Sequence, residues 1–183
     1  MNDTTAETKR MRQLSFLEWC EALLAGWIIV AVVFSFFFRV MMVSGSSMVP
    51  TLTDGDRLLV QTVLYQPKRG DIVILDGYID YGKPLVKRII AMEGDTVDID
   101  FTTGDVFVNG ELQQEPYIAE PTITAGDLSL PITLGEDQIF VMGDNRNGSR
   151  DSRNSEIGCL DRRDIVGKAI FRLTPFDSMG RIK

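Results

Sequence analysis

The segment Leu85–Met92 (LVKRIIAM) decides the fold class, because it is rich in Leu, Val and Ile and contains no turn residue. Alternation along a strand places Lys87 on the same face as Leu85 and Ile89. A lysine on that face is partly desolvated, or its stem packs while its ammonium group reaches water. Periodicity alone leaves both alternatives open.

Short segments of the same kind recur on both sides of it, separated by Gly, Pro and Asp. They are Arg57–Val63, Asp71–Leu75, Thr96–Ile99, Val106–Val108, Gln138–Met142 and Ile165–Leu173. Asn109-Gly110 predicts a two-residue hairpin turn, and the proline-containing residues 111–137 predict a long excursion between strands. No segment after Phe38 keeps a helical period for three turns. We therefore expect an all-β domain over residues 44–183.

Ahead of this domain lies Ala22–Phe38 (ALLAGWIIVAVVFSFFF), which contains no charged residue. A helix of this length spans about 26 Å, slightly short of the ~30 Å hydrocarbon core, and Val40–Val43 could add length if Arg39 extends outward. We expect a transmembrane anchor over residues 22–43, preceded by an N-terminal segment 1–21. A buried core helix is disfavoured because the run is apolar on all sides. A cleavable signal peptide is disfavoured because the run is long and no small-x-small site follows.

The basic residues around the span predict its orientation. Lys9, Arg10 and Arg12 precede it, whereas Arg39 alone follows it closely. The positive-inside rule then places residues 1–21 in the cytoplasm and residues 44–183 outside the cell membrane.

Composition excludes several classes of function. The net charge is -7, with the acidic excess beyond residue 39, so nucleic acid is not an expected partner. The chain contains no histidine, which excludes a Ser-His-Asp protease and any His-ligated zinc or haem. Cys20 and Cys159 are too few for a metal cluster, and their positions do not favour a disulfide.

Without histidine, a nucleophilic serine needs another base, and a buried lysine with a lowered pKa can serve. Ser44–Leu52 (SGSSMVPTL) carries several hydroxyls just beyond the apolar run. An ordinary loop entering a strand is an open alternative for this stretch. The stretch Gly143–Arg153 is rich in Asp and Asn, but three arginines and the missing sixth-position glycine argue against a calcium loop. We expect a rigid turn there, in which Asp151 and Arg153 pair.

Taken together, these stretches resemble the type I signal peptidases, membrane-anchored Ser-Lys proteases, and more closely their Gram-positive-like subclass. Ser44–Leu52 is similar to the S-G-x-S-M-x-P-T-L box of that family. The later boxes occur in the same order: Pro67–Val73 (PKRGDIV), Lys87–Val97 (KRIIAMEGDTV), Asp105–Gly110 (DVFVNG), Phe140–Arg153 (FVMGDNRNGSRDSR) and Gly167-Lys168-Ala169. The resemblance covers roughly residues 40–175 and implies the β fold shared with the LexA type of repressor.

Carried over, the resemblance implies that Ser47 is the nucleophile and Lys87 its general base. Ser149 would steady the lysine, and Asp151 and Arg153 would hold that loop. It implies cleavage of exported preproteins after Ala-x-Ala sites, without a cofactor or metal. The expected partners are signal peptides, the lipid bilayer and a nearby export translocase.

Two departures stand out. Gram-negative members have a serine two residues before the nucleophile, where this chain has Gly45, so half of the oxyanion hole needs another donor. The family's Gly-x-Pro-Gly-Asp turn is replaced by Ala91–Asp95 (AMEGD), which lacks a glycine and the proline of that turn and leaves the identity of the base unaffected.

Two alternatives are disfavoured. A self-cleaving repressor of the LexA type would carry a DNA-binding domain in place of the span. An anchored binding domain without activity would be expected to lack the serine or the lysine.

Overall fold

The computed structural model describes residues 3–77 and 82–182, with side chains for residues 16–77 and 82–182. The chain divides into two compact units, Met1–Phe37 and Phe38–Lys183. The first unit is helix α1, Asp3–Phe37. Within it, Phe16–Phe37 is long and apolar enough to cross a membrane, since 22 residues in a helix span about 33 Å. Because α1 begins at Asp3, the N-terminal segment predicted over 1–21 continues into the same helix.

The C-terminal end of the apolar run differs from the expectation. Phe38–Met42 is strand β1, paired antiparallel with Arg57–Gln61, strand β2. Val40–Val43 therefore do not lengthen the helix, and Val43 is buried in the β domain. The additional length of the apolar helix comes from its N-terminal side instead.

All of the predicted strands are present, with small shifts at their ends. After β2 the strands are β3 (Ile72–Leu75), β4 (Leu85–Met92), β5 (Thr96–Asp100), β6 (Asp105–Val108), β7 (Glu111–Leu112), β8 (Ile132–Thr133), β9 (Gln138–Met142), β10 (Leu160–Asp161), β11 (Ile165–Thr174) and β12 (Gly180–Arg181). In the described part of this unit, helical structure is limited to the 3₁₀ turns Arg162–Asp164 and Phe176–Ser178. The all-β prediction for the domain is confirmed.

The strands form two antiparallel sheets. The larger has the order β1-β2-β11-β3-β4-β9-β10, with β12 paired to β11, and the smaller has the order β7-β6-β5-β8. The predicted hairpin joins β6 to β7, and its central residues Asn109 and Gly110 have φ values of 56° and 78°. Positive φ at both positions is the geometry that an Asn-Gly turn favours.

Three buried clusters form the core, and β4 contributes to all of them. Ile90 packs with β5, β6 and β9 residues, which joins the two sheets. Val86 packs against the cluster around Met48 and Leu52, whereas Ile89 packs in a third cluster with Val141. Because β4 is covered in this way, a polar side chain at its centre is removed from water.

Candidate active site

The stretch around Ser47 is fixed by apolar anchors on both sides. Val43, Met48 and Leu52 are each at most 3% exposed and belong to one core cluster. The backbone N–H of Val43 donates to Asp56 O at 2.8 Å, and that of Leu52 donates to Met48 O at 2.8 Å. Ser47 is thereby held half-buried within the loop between β1 and β2.

Lys87 reaches this serine from β4. Its Nζ lies 2.9 Å from Ser47 Oγ, in hydrogen-bonding distance. The residue is only 2% exposed, so the partly desolvated alternative holds and the snorkelling alternative does not. Among the described residues, no carboxylate forms an ion pair with Lys87. The structure therefore brings the two predicted dyad residues together.

Burial lowers the pKa of Lys87 from 10.5 to about 8. Desolvation is the largest cause, because a low-dielectric site disfavours the ammonium form. The charges of Asp151 and Asp144 oppose the shift, and the charge of Arg153 adds to it. An amine with this pKa is partly neutral at mildly alkaline pH and can accept a proton.

Asp151 and Arg153 form the predicted pair. Arg153 Nε donates to Asp151 Oδ1 at 2.8 Å and Nη2 to Oδ2 at 2.9 Å, with both side chains buried. Arg153 also donates to the carbonyls of Thr124 and Arg146, and Asp151 accepts the backbone N–H of Gly143 at 3.0 Å. The pair thus ties the loop to the end of β9 and to the excursion.

Ser149 lies beside the site, but in the part of the chain that the structure describes it forms no hydrogen bond with Lys87. Its Oγ donates to Arg150 O at 3.4 Å. The hydroxyl packs against Gly143, where an added Cβ would lie 2.2 Å from Ser149 Oγ and 2.4 Å from Ser47 O. A glycine is required at position 143 because the loop passes the backbone of Ser47 so closely.

A second buried ion pair, which the sequence did not predict, lies next to the dyad. Arg88 donates to both carboxylate oxygens of Asp144 at 2.8 and 2.7 Å, and both residues are at most 2% exposed. Thr51 Oγ1 also donates to Asp144 Oδ2 at 2.5 Å. This contact ties the Ser44–Leu52 stretch to the Gly143–Arg153 loop.

A third pair joins the excursion to the same loop. Arg146 donates to both carboxylate oxygens of Glu115 at 2.6 Å and to Thr122 Oγ1 at 2.9 Å. The centroid of the Tyr117 ring lies 3.8 Å from the guanidinium carbon of Arg88. The available signal for Arg88 was a second cation, next to Lys87, inside an apolar run. Its pairing with Asp144 was not visible because the two residues are 56 apart in the sequence.

The two departures from the family pattern have defined geometries. Gly45 has φ of 94°, and its N–H donates to Asp54 Oδ1 at 2.7 Å. The Ala91–Asp95 turn is closed by Asp95, whose carboxylate accepts from the backbone N–H of Met92 and from Asn109, and pairs with Arg69. These contacts hold the turn together without the missing proline.

The apolar side chains beside Ser47 differ in exposure, which decides whether they could contact lipid. Val43 and Met48 could not, because their side chains are buried in the core. Met41 packs partly against the same cluster, and Met42 is 66% exposed.

The chain is similar to several known proteins. Residues 16–174 match the family described as signal peptidase, peptidase S26. The chain is 38% identical over 186 residues to signal peptidase I of Bacillus licheniformis, covering 96% of this chain and 97% of that one. It is 37% identical over 195 residues to signal peptidase I T of Bacillus subtilis, covering 100% and 97%. A solved signal peptidase I from Enterococcus faecalis is 26% identical and covers 57% of this chain and 97% of its own, with a TM-score of 0.48. The chain belongs to the type I signal peptidases, peptidase family S26.

Proposed function

We propose that this protein is a membrane-anchored serine endopeptidase that removes N-terminal signal peptides from exported preproteins, cleaving after small residues in Ala-x-Ala sites. Membership of the S26 family supports a peptidase. The names of the Bacillus relatives, signal peptidase I, support signal peptides as the substrate class. No cofactor or metal has a role in the reaction.

The observation that carries the mechanism is the 2.9 Å contact between Lys87 Nζ and Ser47 Oγ. Neutral Lys87 accepts the hydroxyl proton as Ser47 Oγ attacks the scissile carbonyl. The tetrahedral intermediate collapses, the amine of the mature protein leaves with a proton from Lys87, and an acyl-enzyme remains. Lys87 then activates water for deacylation. A Ser-Lys pair is an established variant of the Ser-His-Asp arrangement.

The backbone N–H of Ser47 is the proposed donor to the oxyanion. In residues 3–77 and 82–182 it has no hydrogen-bond acceptor of its own, so it is available to substrate. The N–H of Gly45 is bonded to Asp54 and does not supply a second donor in this conformation. Removing one such donor from another enzyme costs about 2.7–4 kcal/mol.

The apolar part of α1 serves as the anchor in this proposal. Lys9, Arg10 and Arg12 keep the N-terminus in the cytoplasm, which places the catalytic domain outside. The domain then works at the external surface of the cell membrane, near the export translocase, where the cleavage sites of preproteins emerge.

Cleavage of a preprotein with an Ala-x-Ala site tests the proposal, using the full chain in detergent or liposomes and N-terminal sequencing of the product. We expect Ser47→Ala and Lys87→Ala each to abolish cleavage. Ser44→Ala and Lys83→Ala are matched controls, because both side chains are exposed and close in sequence to the dyad residues.

Normal cleavage by Ser47→Ala or Lys87→Ala would rule out the dyad. If the unaltered protein cleaved none of several such preproteins, an anchored binding domain would be the better description. A cut after large residues would contradict the Ala-x-Ala specificity while leaving the peptidase activity intact.

A further inference from the structure

The peptide bond between Ser46 and Ser47 is held from the Gly143–Arg153 loop by a single residue. The side-chain Nδ2 of Asn145 donates to Ser46 O at 3.1 Å, and its backbone N–H donates to Ser47 O at 3.0 Å. The two hydrogen bonds therefore fix the carbonyls of Ser46 and Ser47, which lie on either side of the Ser47 Cα. Val49 N–H also donates to Ser46 O, at 3.2 Å.

The first of these bonds sets the direction of the proposed oxyanion donor. In a trans peptide the C=O of one residue and the N–H of the next lie in one plane and point in opposite directions. A bond that fixes Ser46 C=O thus also fixes Ser47 N–H. Donors in such a site act through preorganisation, since they are already aimed where charge develops.

We propose that Asn145 is a positioning residue for the oxyanion site, acting through the Ser46–Ser47 peptide rather than on the substrate. This inference rests on the proposed Ser47–Lys87 chemistry. Without this bond, the Ser46–Ser47 peptide plane would be less restrained. The substrate would still bind, but the tetrahedral intermediate would be less well stabilised. The effect therefore falls on kcat and spares KM.

Asn147 provides a matched control on the same loop. It is also half-buried and also uses its amide, but in contacts with the excursion. Its Oδ1 accepts from the backbone N–H groups of Ile123 and Thr124, and its Nδ2 donates to Pro121 O. Asn147→Ala removes more side-chain hydrogen bonds from the loop than Asn145→Ala does, and it leaves the Ser46–Ser47 peptide untouched.

The experiment compares Asn145→Ala with Asn147→Ala in the full-length protein, using preprotein kinetics and two peptides that end at the alanine before the cut site. One peptide ends in an aldehyde and the other in the corresponding alcohol. Ser47 Oγ adds to the aldehyde carbon, forming a C–O bond and breaking the C=O π bond, while the hydroxyl proton passes to the former carbonyl oxygen. The aldehyde adduct uses the oxyanion site, and the alcohol does not.

For Asn145→Ala we expect kcat to fall at least about 10-fold. The decrease should be smaller than the ~10²–10³-fold loss in kcat that follows removal of an oxyanion donor itself. KM should stay unchanged, aldehyde affinity should fall in parallel with kcat, and alcohol affinity should be retained. Asn147→Ala should show none of these changes. An equal loss of affinity for both peptides, or kinetics matching those of Asn147→Ala, would overturn the inference.

If Asn145→Ala does not fold, Asn145→Asp keeps the shape and the backbone bond but replaces the donor with a carboxylate. It should show the same selective loss of aldehyde affinity, and unchanged aldehyde affinity would overturn the inference. Ser47→Ala, measured alongside, separates the two proposals. Cleavage by Ser47→Ala refutes the dyad, whereas an inactive Ser47→Ala with a fully active Asn145→Ala refutes only the role of Asn145.

Discussion

Lys87 and Arg88 are neighbours on β4, and both are 2% exposed, but their surroundings differ. Arg88 makes two hydrogen bonds to the carboxylate of Asp144, whereas Lys87 is bonded to the hydroxyl of Ser47. Arg146 and Arg153, the other buried cations among the described side chains, resemble Arg88 in having a carboxylate partner. Lys87 is the exception.

This difference in partners explains which buried cation can exchange a proton. A guanidinium stays protonated at any working pH, and a bidentate carboxylate offsets part of its desolvation cost. A buried ammonium without an ion pair is disfavoured relative to the neutral amine, so its pKa falls. The three paired arginines hold the loop and the excursion, and the unpaired lysine is left able to exchange a proton.

Replacing the lysine by an arginine should have the largest effect. Lys87→Arg keeps a cation at this position but cannot supply a neutral base. We expect kcat/KM for preprotein cleavage to fall on the order of 10⁴-fold or more, as when a catalytic base is lost elsewhere. Retention of more than a tenth of the activity would show that a positive charge, not a base, is what the site requires.

Breaking the pair at Arg153 should lower stability more than any exposed substitution in the same loop. Arg153→Ala leaves the carboxylate of Asp151 buried without its partner, at an expected cost of about 3–5 kcal/mol. Activity should fall chiefly through this loss, which chemical denaturation and the melting temperature would measure. The control is Arg150→Ala, because Arg150 pairs with Glu156 at the surface, 67% and 53% exposed, and should change little. Lost activity with an unchanged melting temperature would indicate a direct role for Arg153.

Replacing Lys87 or Arg88, the two cations of β4, by methionine should change the melting temperature in opposite directions. Below pH 8 the buried amine is protonated in both the folded and the unfolded chain, and its burial costs up to about 3 kcal/mol. We expect Lys87→Met to raise the melting temperature at pH 7 by several degrees while abolishing cleavage. The advantage should shrink between pH about 8 and 10.5, where the unfolded chain binds more protons than the folded one.

Arg88→Met is the matched comparison, since it leaves Asp144 buried and unpaired. Its melting temperature should fall at pH 7. A lower melting temperature for both variants would mean that the Lys87–Ser47 hydrogen bond outweighs the cost of burying the amine.

The smallest expected effect is the dependence of the rate on pH. The base must be neutral, and with a pKa of about 8 its neutral fraction falls tenfold for each pH unit well below that value. We expect kcat/KM to rise from pH 6 to pH 8 and then to level off. A flat profile across this range would show that proton transfer to Lys87 does not limit acylation.

Sequence reasoning recovered the longer strands after β1, because their signal is local. The two-residue strands β7, β8, β10 and β12 were not predicted. Runs such as Ile72–Leu75 and Gln138–Met142 are rich in branched residues and bounded by turn formers. The helix boundary was missed because Phe38–Met42 (FRVMM) continues the apolar run. Hydropathy does not distinguish a membrane helix from the strand that follows it, and the pairing with β2 decides the matter.

The candidate site shows the same division between local and distant information. The Asp151–Arg153 pair was predicted because the partners are two residues apart. Arg88 and Asp144 are 56 residues apart, and their pairing depends on the alignment of β4 with β9. The contact of Asn145 with Ser46 spans 99 residues and depends on the packing of two loops. The role that the motif implies for Ser149 stays a prediction, since its hydroxyl donates to Arg150 O here.

The central claim is that Lys87 is a buried amine whose pKa is low enough to serve Ser47 as a base. An NMR titration of the Lys87 side chain, with carbon-13 at Cε and the full-length protein in detergent, measures this pKa directly. The account predicts a value of about 8. A value near 10.5, that of an ordinary solvated lysine, would contradict it.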